Sequence, residues 1–85
     1  MRIRLYFYIL DSMGWVMYRL GRLNEAVDFL RKALELRNDP EIAAHLGEVL
    51  WVMGDKQAAE QVWETALKDT PADDRLLKVI ERFKP

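Results

Sequence analysis

Asp11, Ser12, His45 and Glu48 supply every residue type of a hydrolytic relay: a hydroxyl nucleophile, an imidazole base and a carboxylate to orient it. Ser12 and His45 stand 33 residues apart, an interval that recurs elsewhere in the chain and sets them at one phase of neighbouring helices. Acyl-transfer chemistry needs more. It needs donors aimed at a developing oxyanion and a nucleophile within hydrogen-bond reach of its base. No Gly-X-Ser-X-Gly elbow surrounds Ser12. Stacked helices run about 8–10 Å apart, which by itself does not bring the pair together. No catalytic residue is assigned, and the chain is read as non-enzymatic.

Glu41, His45 and Glu48 raise a second possibility. At i, i+4 and i+7 they share one helical face, and two carboxylates with an imidazole suit a divalent metal. A specific site needs a further ligand and a buttressing shell. A lone histidine between glutamates on a solvated face is ordinarily polar surface. No metal and no cofactor is expected. The absence of cysteine excludes disulfides and thiolate sites.

The elements that must position these residues are read from a repeat. Gly14 and Gly47, Gly21 and Gly54, Ala26 and Ala59, and Ala33 and Ala66 each recur at an offset of 33. Gly14 and Gly47 lie inside strongly helical stretches, where glycine costs about 1 kcal/mol relative to alanine. Its reuse at one phase marks a steric demand. The four alanines let two helices approach; a larger side chain there costs ~1–3 kcal/mol in overpacking. Gly21 and Gly54 close apolar-periodic runs, where a left-handed residue ends a helix. Each unit reads helix, tight turn, helix.

A helical hairpin recurring every ~34 residues has the tetratricopeptide period. Pro40–Asp73 resembles that family in Leu46-Gly47, Leu50, Gly54, Ala59, Trp63, Ala66 and Pro71. Phe7–Asp39 resembles it in Leu10, Met13-Gly14, Met17, Gly21, Ala26, Leu30 and Ala33, is one residue shorter, and carries Asn38 where proline is common. The phrase Leu10-Asp11-Ser12-Met13-Gly14-Trp15 resembles the C-terminal repeats of bacterial scaffold proteins of the envelope or cytoplasm, which leaves localisation open between cytoplasm and periplasm. The resemblance implies an all-α, right-handed solenoid in a single domain. Residues 7–39 and 40–73 form two repeats, 74–84 a C-terminal capping helix and 1–6 an N-terminal extension.

At 85 residues, 51% hydrophobic and 32% charged, the chain suits one small soluble domain. Repeat units cannot bury their faces alone, and about three are usually needed for stability. The chain is therefore expected to be part of a longer repeat array or to form a homo-oligomer. A net charge of −1 with dispersed signs argues against a nucleic-acid partner. No apolar run approaches the ~20 residues that span a bilayer, so no membrane insertion is expected. Met1-Arg2-Ile3-Arg4 leads into too short an apolar run, with no small-residue cleavage site, to be read as a signal peptide.

Five helices are expected: from near Leu5 to Leu20, Asn24–Arg37, Pro40–Met53, Lys56–Asp69 and Asp74–Lys84. The core positions are Ala26, Phe29, Leu30, Ala33 and Leu34 on the second, and Ile42, Ala43, Leu46, Val49 and Leu50 on the third. The fourth contributes Ala59, Val62, Trp63, Ala66 and Leu67, and the fifth Leu76, Leu77, Ile80 and Phe83. Asp39, with Pro40 behind it, and Asp55 are N-caps. Arg75, Lys78, Glu81 and Arg82 face water. The polar outer side of this last helix suits a terminal cap and places Pro85 near a C-terminus.

In the tetratricopeptide family the first helix of each hairpin lines a concave groove. The resemblance carries those positions onto Tyr8, Asp11, Ser12, Trp15, Tyr18 and Arg19, and onto Glu41, Ala44, His45, Glu48, Trp51 and Val52. The cations of the family's carboxylate clamp are missing at the corresponding places, so binding of acidic chaperone tails is not expected. Trp15, Tyr18 and Trp51 are the anchors of an aromatic groove flanked by Asp11, Glu41 and Glu48, because exposed aromatics anchor interfaces. The expected function is non-catalytic binding of a partner peptide or protein. The alternative is structural: self-association through Met1–Tyr8, or capping of a longer scaffold.

Overall fold

Among the described residues five helices follow one another: α1 (Arg2–Arg19), α2 (Leu23–Leu36), α3 (Pro40–Val52), α4 (Lys56–Asp69) and α5 (Asp74–Phe83). The computed structural model describes the backbone from Arg2 to Pro85 and side chains from Tyr6 onward. Readings that rest on Met1, or on the side chains of residues 2–5, lie outside the described residues. No strand occurs among the described residues. The fold is all-α. The first helix begins at Arg2 rather than near Leu5, because no proline or glycine interrupts the run into Leu10.

The turns explain why each helix stops. Gly21 and Gly54 adopt φ of +81° and +97°. Gly21 donates to the Tyr18 carbonyl at 2.9 Å and Arg22 to that of Met17 at 2.8 Å. Gly54 and Asp55 repeat the pattern on Trp51 and Leu50, both at 3.0 Å. This paired closure satisfies carbonyls that a helix end otherwise leaves free, and its left-handed residue favours glycine. The starts of α3 and α5 are capped by side chains. Asp39 accepts from the Glu41 amide at 2.8 Å, and Asp73 from those of Arg75 and Leu76 at 3.0 and 3.1 Å.

α1 packs chiefly on α2, and α3 on α4, with α2 also lying against α3. Both hairpins close on the same contact. Leu30 of α2 presses onto Gly14 of α1, where an added Cβ would meet Leu30 Cγ at 2.7 Å. Trp63 of α4 lies on Gly47 of α3, where a Cβ would overlap the indole. Leu30 and Trp63 are themselves 33 residues apart, so the wider side chain of the second unit fills the same notch. Ala26, Ala33, Ala59 and Ala66 are buried beside them.

Ile42, Ala43, Leu46, Val49 and Leu50 are all buried, together with Ala44 and Gly47. α3 is the central rod, covered by α2 and α4 and, on a third side, by α5. Leu76 and Val79 are buried on α5, with Ile80 and Phe83 packed against the core. Leu77, expected inside, is 45% exposed. The apolar face of α5 is therefore turned from the expected one. Carrying the phase of α3 forward by 34 residues sets Leu76 at the place of Ile42, Ile80 at that of Leu46 and Phe83 at that of Val49. α5 thus stands to α3 as the opening helix of a further hairpin.

Candidate interaction cleft

Three ionic or polar pairs cross between α1, α3 and α5 at one offset of 34. His45 Nδ1 lies 2.9 Å from Asp11 Oδ1, Arg75 donates to Glu41 Oε1 at 2.8 Å, and Arg82 donates to Glu48 Oε1 at 2.7 Å. A fourth bond runs from the Tyr18 hydroxyl to Glu48 Oε2 at 3.0 Å. Glu48 therefore spends one carboxylate oxygen on each neighbouring helix. Its carboxylate is only 12% exposed, so these partners satisfy acceptors that burial would otherwise leave unpaired.

The helices leave a cleft of about 350 Å³ between them, lined by Trp15, Glu41, Ala44, His45, Glu48, and Val79 with Arg75, Lys78 and Arg82 at the rim. Trp15 forms one wall. Its indole stacks on the His45 imidazole with ring centres 4.3 Å apart and lies 4.9 Å from the Tyr18 ring. The stacking and the Asp11 contact hold His45 from two directions. With Asp11 ionised, that contact places a proton on Nδ1. Burial raises the Tyr18 phenol, helped by its bond to Glu48 and by that carboxylate's charge, while Arg82 pulls the other way; the net effect pushes it up to about 12. Tyr18 is thus a neutral hydrogen-bond donor across the ordinary pH range.

The positions named from sequence separate into two groups. Asp11, Trp15, Tyr18, Glu41, His45 and Glu48 come together at the cleft. Tyr8, Ser12 and Arg19 are exposed on α1, and Tyr8 stacks on Phe7 with ring centres 5.4 Å apart. Among the described residues no hydrogen bond joins Ser12 to His45, whose Nδ1 faces Asp11 instead. Ala44 is buried in the cleft floor, and Val52 is exposed beyond it.

Trp51 has a different environment. It stacks on Trp63 at 5.8 Å, meets Phe83 at 6.2 Å, and lies under the Lys56 ammonium at 5.1 Å. Trp51, Trp63 and Phe83 join α3, α4 and α5 in one aromatic cluster. Trp51 is a packing residue at that junction and is not among the residues lining the cleft.

Arg75, Lys78, Val79 and Arg82 were missed as cleft residues. Arg75, Lys78 and Arg82 are exposed, as expected, and from that position the guanidinium groups of Arg75 and Arg82 also reach the carboxylates of α3. The signal lay in the sequence. Glu41 and Arg75, like Glu48 and Arg82, are opposite charges separated by one repeat period. Among the described residues no group of three or more His, Asp or Glu side chains is placed to hold a metal ion.

A family model described as Tetratricopeptide repeat matches residues 17–82. The chain belongs to the tetratricopeptide repeat family. It is 60% identical over 40 residues to a TPR repeat-containing protein of Pseudomonas aeruginosa. That match covers 47% of this chain and 7% of the relative, so the chain spans a small part of that protein's length. No solved structure matches it. Repeats of this family mediate protein–protein interaction. Among the described residues no helix is long and apolar enough to cross a membrane.

Proposed function

We propose that this chain is a non-catalytic recognition module that holds a segment of a partner protein in the cleft between α1, α3 and α5. The observation that carries this reading is the wall formed by Trp15. It is a large aromatic beside an open cleft of about 350 Å³, with Ala44 and Val79 lining the same space and charges of both signs around them. A volume of that size accepts one or two apolar side chains.

The partner segment is one with an apolar or aromatic anchor and mixed charge at its flanks. Neither a purely acidic nor a purely basic tail suits the rim, because Glu41 and Glu48 are paired with Arg75 and Arg82. The pairs also supply rigidity. Trp15 is buttressed by His45 and Tyr18, and those by Asp11 and Glu48. A preformed wall leaves less side-chain freedom to be lost on binding. Selection of peptides from a display library on the wild-type chain, followed by the same capture on Trp15→Ala, tests the reading. Equal capture by both would remove the cleft from the account.

A further inference from the structure

The side of α1 turned away from α2 and α3 carries Tyr6, Ile9, Met13, Val16 and Leu20. Their exposures run from 40% for Met13 to 63% for Leu20. The steps between them alternate three and four residues, the spacing of a helix–helix seam. Another side of the same helix packs Gly14 and Tyr18 inward. A helix that is apolar on both sides is built to be covered on both.

The repeat itself shows what kind of element fits there. Ile9, Met13 and Val16 stand one period before Ile42, Leu46 and Val49. On α3 those three are at most 1% exposed, because α2 lies along that side. On α1 the same three positions are 40–52% exposed, and none of the described helices covers them. α2 reaches α3 through Arg37–Asp39 alone and so runs antiparallel to it. The uncovered face is thus cut for an antiparallel helix with an apolar stripe.

We propose that a second copy of this chain supplies that helix, α1 against α1, antiparallel about a twofold axis. The stripe carries no charged residue, so two copies can meet without burying an unpaired charge. About half-exposed side chains of this size present roughly 100 Å² each, or about 500 Å² for the stripe. That lies at the upper end of what monomers leave in one apolar patch. Two copies together bury about 1,000 Å², the lower bound for a specific interface. The resulting dimer is concentration-dependent and isologous. It leaves the cleft open, since Trp15, Tyr18 and Asp11 leave α1 toward α3.

Sedimentation equilibrium of the 85-residue chain from about 1 to about 500 µM tests this over the range expected of a small interface. The wild type shifts from monomer to dimer across that range. Val16→Glu and Met13→Glu each raise the dissociation constant by about tenfold or more, with the helical circular dichroism of the wild type. Leu77→Glu, an exposed apolar residue on α5, leaves association unchanged. Three results overturn the proposal: a wild type that stays monomeric throughout, α1 variants that associate as it does, or an equal loss in Leu77→Glu. If one glutamate variant loses helicity, the other carries the comparison. If both lose it, these positions belong to the folded monomer and the proposal falls. None of these outcomes bears on peptide capture by the cleft.

Discussion

Trp63 lies across Gly47 so closely that even one methyl group on that glycine would overlap the indole. The contact joins the two helices of the second hairpin and puts Trp63 at 1% exposure. Among the described residues its Nε1 has no hydrogen-bond partner, so the ring is held there by packing despite a desolvated N–H that costs roughly 1–3 kcal/mol. Gly47→Ala should therefore destabilise the chain by about 1–3 kcal/mol, overpacking outweighing the ~1 kcal/mol that alanine gains in helix propensity. Gly14→Ala should cost less, because its methyl would approach Leu30 Cγ to 2.7 Å, a smaller overlap than the one with the indole. Urea unfolding of the two variants checks the order.

Trp51 gives the next outcome. It was expected to anchor a partner from an open groove; it packs instead on Trp63 and Phe83. Trp51→Ala should lower stability by about 2–4 kcal/mol, nearer the lower end because the ring is only partly buried. It should also increase hydrogen exchange in α5, which the cluster fastens to α3 and α4. A variant with wild-type stability would return Trp51 to the surface.

Glu48 links all three cleft helices through Tyr18 and Arg82. Arg82 is 61% exposed, so solvent screens much of that pair. A double-mutant cycle of Glu48→Gln with Arg82→Ala should yield a coupling of about 0.5–1 kcal/mol that shrinks as salt is added. A coupling that ignores salt would contradict an ion pair at this site.

Tyr18 makes the alkaline limb of stability informative. Its phenol is raised from 10.0 to about 12 in the folded chain, so the native state keeps a proton that the unfolded state gives up. The resulting stability is present in full below pH 10 and is lost as pH rises to about 12. The loss attributable to Tyr18 is at most about 2–3 kcal/mol. Tyr18→Phe should flatten this part of the profile. Tyrosinate absorbance should show a component titrating well above the usual tyrosine range that vanishes in the variant.

The architecture was legible because its cause is steric and local. Gly14, Gly47 and the alanine pairs name the notches, and Gly21 and Gly54 name the turns, without knowledge of distant contacts. The helix boundaries from Pro40 onward followed for the same reason: Asp39, Asp55 and Asp73 each cap with their own side chain. The cleft was only half legible. Asp11, Trp15, His45 and Glu48 sit on helices whose phase the repeat fixes. Arg75 and Arg82 were lost because α5 was read as an amphipathic helix ending in water. An apolar stripe alone did not choose between Leu77 and Val79; the register with α3 did. Trp51 stands beside Trp63 and Phe83 because α4 and α5 both pack against α3.

The cleft between α1, α3 and α5 is the proposed recognition surface. A heteronuclear NMR titration of the chain with a captured peptide tests it directly. The largest shift changes are expected on the Trp15 indole and on Ala44, His45, Val79 and Arg82, and Trp15→Ala is expected to weaken binding by ~10-fold or more. Changes centred on the convex faces of α2 and α4, or along Ile9, Met13 and Val16, with the Trp15 indole unmoved, would contradict it.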